Sequence, residues 1–68
     1  MVPNGFLYTR WLHKKSGHQY FIIGECRLET TNKRAFLYVP VDDRRGTPWA
    51  RDIDEFLDGR FVRVDPEE

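Results

Sequence analysis

The chain has 68 residues, with 11 Lys/Arg against 11 Asp/Glu and a formal net charge of zero. A chain this short makes one domain, spanning 1–68, with a thin core that buries only about 60% of its unfolded surface. Zero net charge is not the positive excess of a dedicated nucleic-acid binder. No stretch approaches the ~18 apolar residues of a membrane helix, and Met1-Val2-Pro3-Asn4 opens no signal-like apolar region. Cys26 is the single cysteine, so an internal disulfide is excluded and a reducing, cytoplasmic home is expected. Charge is nevertheless segregated along the chain: residues 1–51 sum to +5 and residues 52–68 to −5. That allows either an acidic partner or a two-signed protein partner.

Leu7 to Leu12 reads as a first strand, and Lys14-Lys15-Ser16-Gly17-His18 as a turn. Tyr20 to Leu28 is the strongest strand pattern. Its even set (Tyr20, Ile22, Gly24, Cys26, Leu28) is apolar throughout, so it is expected to face the core. Its odd set changes from apolar (Phe21, Ile23) to charged (Glu25, Arg27). Gly24 marks a bend or bulge. Thr30 to Lys33 is a second turn. Ala35-Phe36-Leu37-Tyr38-Val39 forms a third strand, apolar on both faces, that ends at Pro40. Asp42 to Gly46 is a solvated loop, and Thr47 to Arg51 a short fourth strand. Asp52 is placed to cap a helical turn, with Glu55 three residues on as in a capping box. Gly59 supplies a left-handed exit. Phe61 to Val64 is a fifth strand, and residues 65–68 an acidic, frayed tail.

Five short strands with one helical turn before the last predict a mostly β fold, a five-stranded SH3-like barrel. Period-2 patterning excludes a helical bundle, and an OB-fold wants longer strands. Tyr20, Ile22, Cys26, Leu37, Val39, Ile53, Phe56 and Phe61 are the expected core, with Trp11 and Leu28 beside them.

Several short motifs carry a resemblance. Gly17-x-x-Tyr20, Ile22-x-Gly24-x-Cys26-Arg27, Glu29-Thr30, Phe36-Leu37-Tyr38, and Trp49-Ala50-Arg51 followed by Phe56 are similar to domain of unknown function 1653. That is a family of small bacterial and phage domains. The family's Trp-x-Arg-Pro motif has Asp52 here in place of proline. The resemblance spans Gly17 to Phe56. It implies a compact, mostly β domain of bacterial or mobile-element origin and no particular activity.

No residue set points to a reaction. His13, His18 and Cys26 do not make up the ligands and spacing of a zinc site, so no metal or cofactor is expected. Asp42/Asp43 and Asp54/Glu55 suit solvation and capping better than acid–base work. No nucleophile triad or phosphate loop is present, and no enzyme activity or small-molecule substrate is expected. The expected role is a protein-interaction module, of the kind a phage encodes as an accessory or inhibitor protein. Its contact candidates are Phe21, Ile23, Trp11, Trp49 and Arg51, serving a protein partner or self-association. The alternative is a nucleic-acid surface of Arg10, Lys14, Lys15, Arg34, Arg44 and Arg45, interleaved with aromatics.

Overall fold

Strands form where apolar alternation is strongest, and the chain turns between them at left-handed positions such as Gly17 (φ 78°) and Asn32 (φ 60°). The computed structural model describes residues 4–64, so the expected acidic tail at 65–68 lies outside the described residues. A turn of 3-10 helix, Asn4–Phe6, precedes β1 (Arg10–His13), β2 (Gln19–Arg27), β3 (Arg34–Pro40) and β4 (Trp49–Asp52). Helix α1 (Ile53–Glu55) follows, continued by a wider turn over Phe56–Arg60, and β5 (Phe61–Arg63) closes the series. The strands make one antiparallel sheet in the order β4-β3-β2-β1-β5. This is the expected mostly β, SH3-like arrangement, with the last strand beside the first. Among the described residues no ladder joins β4 to β5, so the curled sheet keeps an open seam.

The first strand begins at Arg10 rather than Leu7, because the chain turns a corner before it. Tyr8 adopts the left-handed conformation, with φ 62°. Its amide donates to the Ile22 carbonyl at 2.6 Å. Buried Thr9 completes the corner: its hydroxyl donates to the Phe6 carbonyl at 2.7 Å and accepts from Trp11 Nε1 at 2.7 Å. The buried indole is therefore satisfied, as such a donor must be.

The expected bend in β2 is a register shift between Ile22 and Gly24. Because side chains alternate with period 2, one extra residue moves everything beyond it to the other face. Before the bulge Ile22 pairs with Tyr38; beyond it Glu25 pairs with Phe36 and Cys26 with Ala35. This corrects the expectation that the whole even set faces the core. Ile22 is fully buried there, but Cys26 is half-buried on the outer face with Leu37. Phe36 and Tyr38 take the core positions instead, and Val39 is buried in the row of Phe21.

The core is a cluster of rings around Ile22: Trp11, Phe36, Tyr38, Phe56 and Phe61, with Phe6, Tyr20 and Ile53 at its margin. Phe56 lies flat on Phe61 with centroids 4.1 Å apart. Trp11, Phe36 and Tyr38 meet it in tilted or edge-on contact at 5.2, 5.3 and 5.4 Å. These geometries suit ring quadrupoles and add to plain area burial.

Phe56 is carried there by the capped turn. Asp52 Oδ1 accepts from the amides of Asp54 at 2.8 Å and Glu55 at 3.4 Å. Only that half of the capping box forms. Asp52 is also the last residue of the β4 ladder, opposite Ala35, and the Glu55 carboxylate lies 3.9 Å from Arg51 Nη1. Gly59, with φ 109°, provides the expected exit.

Phe56→Ala should cost about 3–5 kcal/mol, enough to unfold so small a domain in urea melts; a cooperative transition at the wild-type midpoint would show that the ring is not structural. Asp52→Ala should cost about 1 kcal/mol through the lost cap. An unchanged melting temperature would mean that the two amides find other acceptors.

Candidate functional site

The core face of the sheet emerges at the open seam as a groove. Alternation puts Tyr38, Trp49 and Arg51 on one face of β3 and β4, since Tyr38 pairs with Trp49 and Phe36 with Arg51. The same face of β1, β2 and β5 contributes His13, Tyr20 and Phe61. These six residues line a depression of about 200 Å³. Its floor is a run of rings: Tyr20 to Tyr38 at 5.2 Å, Tyr38 to Phe61 at 5.7 Å, and His13 to Phe61 at 4.8 Å. At its lip stands Trp49, 61% exposed. An indole left in water beside a wall of aromatic rings is the kind of residue that anchors a partner.

Arg51 is fixed across the groove. Its Nε donates to the Tyr38 hydroxyl at 3.4 Å, and its guanidinium lies 5.6 Å over the Phe61 ring. The hydrogen bond to Tyr38 is the largest of the effects that raise its pKa above the ordinary guanidinium value, with Glu55 and Asp58 adding to it against partial burial. It stays cationic at every working pH and its planar group is already oriented, so little side-chain entropy remains to be lost on binding.

Beside Arg51 lies a trough of about 480 Å³, lined by His13, Lys14, Lys15, Arg51 and Arg60. Beside Tyr20 lies a third hollow of about 460 Å³, between Gly17–Tyr20 and Pro40–Asp42. The hollows share lining residues and lie open to solvent. A drug-sized ligand needs about 70–90% of its surface enclosed, which such an open run does not provide, whereas a polypeptide segment needs no enclosure.

The expected contact residues are not brought together. Trp49 and Arg51 form the groove. Trp11 is 8% exposed inside the core, so its expected place at an interface is corrected: its ring is spent on Phe56. Phe21 and Ile23 are half-buried, Phe21 on the outer face and Ile23 at the bulge. Phe6 packs on Trp11 and Phe36. Two guanidinium groups lie over Phe21, Arg10 at 5.3 Å and Arg44 at 4.6 Å from the ring centroid. Each is a cation–π contact.

The basic candidates are likewise dispersed. Arg10 and Arg44 serve Phe21, with Arg45 beside them in the exposed loop. Arg34 is paired closely with Glu25, and its hydrogen bond is the main cause holding the Glu25 carboxyl below the ordinary range. Lys14 and Lys15 alone reach the groove. Sequence reasoning named Tyr38 among the aromatics of the basic surface and missed Tyr20, His13, Phe61 and Arg60 as candidate site residues. No local signal marks them, because the seam that unites them is made by strands distant in sequence.

Among the described residues no group of three or more His, Cys, Asp or Glu side chains is placed to hold a metal ion, and no helix is long and apolar enough to cross a membrane. Comparison with protein-family models, with curated proteins and with solved structures found no match.

Proposed function

We propose that this protein is a small, non-enzymatic protein-interaction module of the cytoplasm, and that it grips its partner at the Trp49 groove. The exposed indole of Trp49 beside the Tyr38 and Phe61 wall is the observation that carries this. Aromatic and Arg side chains are the types that dominate binding energy at protein interfaces, and the groove is built from them. Its fixed Arg51 and rigid ring floor keep the ordering cost of association low. A bacterial or mobile-element origin is what the resemblance of Gly17 to Phe56 to domain of unknown function 1653 implies, and we propose an accessory or inhibitor role there.

A nucleic-acid role is less well supported. The basic side chains proposed for it are split between the outer face, the far end of β3 and the groove. Arg34 is compensated by Glu25, and Arg10 and Arg44 are engaged with Phe21. Dispersed, partly neutralised cations do not track a phosphate backbone.

Trp49→Ala should shift the melting temperature by no more than about 4 °C, because exposed positions contribute within about 0.5 kcal/mol to stability. The same change should abolish capture of the host partner by the immobilised protein. Phe21→Ser with Ile23→Ser, if it folds, should keep that partner. Retention by Trp49→Ala and loss by the outer-face pair would move the interface to the outer sheet.

A further inference from the structure

We infer that the groove takes an extended acidic peptide segment of a partner protein, with an apolar side chain seated against Trp49 and carboxylates laid along the Lys14–Lys15 trough. This deepens the interaction role proposed above and rests on it.

Charge complementarity carries the choice of occupant. The trough is lined by His13, Lys14, Lys15, Arg51 and Arg60, with no acid among them. Two of the cations already have carboxylates: Arg60 Nε lies 3.0 Å from Asp58 Oδ2, and Arg51 Nη1 lies 3.9 Å from Glu55 Oε1. Lys14 and Lys15 are exposed, and among the described residues no carboxylate lies within ion-pair distance of either. Among the described residues the charge left at this end of the seam is therefore positive, although the chain as a whole is neutral. A cleft of one sign concentrates ligands of the other and speeds their arrival.

Shape decides between a peptide and other anions. The aromatic hollow of about 200 Å³ and the basic trough of about 480 Å³ are neighbours, with His13 and Arg51 lining both. A ligand that occupies both joins an apolar group to a run of carboxylates in one flexible chain, which is the chemistry of a polypeptide carrying Asp or Glu beside a Leu, Tyr or Trp. The seam is also where β4 lacks a neighbour on one side, so an extended segment can lie along it without displacing any ladder.

The test uses immobilised synthetic peptides with a central Leu, Tyr or Trp, flanked on one side by Asp/Glu, by Ser/Gln or by Lys/Arg, with labelled oligothymidylate as a separate ligand. Wild-type protein, Trp49→Ala, and Lys14→Glu with Lys15→Glu are compared. The expected result is that wild type prefers acidic-flanked peptides over neutral ones by on the order of tenfold at low salt, the scale of a few exposed charge pairs. The lysine reversal should turn that preference toward Lys/Arg flanks, and Trp49→Ala should lose all of the peptides. Trp49-dependent binding with no charge preference would overturn the acidic occupant and leave the groove standing. Peptide binding unaffected by Trp49→Ala, or no peptide bound at all, would overturn both. Oligothymidylate bound more tightly than any peptide, and released by the lysine reversal, would replace the peptide with a nucleic acid.

Discussion

The contact between Phe56 and Phe61 governs the rest of this fold. A barrel of strands is normally closed by main-chain hydrogen bonds all round, and here β4 and β5 share no ladder. What joins the two ends of the sheet is a stack of rings, Phe56 on Phe61 at 4.1 Å, with Trp11, Phe36 and Tyr38 meeting it from other strands. The polar work around it is local. Asp52 caps the turn that delivers Phe56, and Gly59 lets the chain leave for Phe61. Closure by side chains leaves the seam open above the rings, and the groove is the consequence. The same aromatics form the core below and the floor of the hollow above.

Among the described residues the acidic final quarter is interleaved with cations: Asp52 lies 3.8 Å from Lys33 Nζ and Glu55 3.9 Å from Arg51, both in the basic segment, while Asp58 pairs at 3.0 Å with Arg60 of its own segment. Exposed pairs such as these contribute little to stability. Their larger effect is to set which cations hold a carboxylate, and among the described residues Lys14 and Lys15 at the seam have none within ion-pair distance. Arg10 and Arg44 are used differently, as lids on Phe21. An apolar residue on the outer sheet face is thereby covered without a second layer of structure, which a chain of 68 residues could not supply.

The sequence made the strand count, the turn positions, the Asp52 cap and the role of Phe56 legible, because each depends on residues within one or two turns of chain. Gly24 announced an irregularity in β2, but not its sense. An inserted residue at the bulge exchanges the faces of β2 beyond it, so Cys26 lies outside; β3 carries no bulge, and its Phe36 and Tyr38 face inward with Ile22 while Leu37 faces out. Alternation is a precise guide only while register holds. Trp49 and Arg51 were contact candidates from the sequence, and both line the groove. His13, Tyr20, Phe61 and Arg60 were not, because they come together only when five strands curl around one ring cluster.

The most direct test of an open, positively charged aromatic seam is differential quenching of tryptophan fluorescence by iodide and caesium at matched ionic strength. Trp11 is enclosed at 8% exposure and Trp49 stands out at 61%, so accessible emission belongs to Trp49. The cations beside it should draw iodide in and keep caesium away. The expected result is one quenchable emitter, several-fold more sensitive to iodide than to caesium, with the difference shrinking in Lys14→Glu/Lys15→Glu. Equal quenching by the two ions, or stronger quenching by caesium, would contradict a basic groove at the seam, and two equally accessible tryptophans would contradict the ring-closed core beneath it.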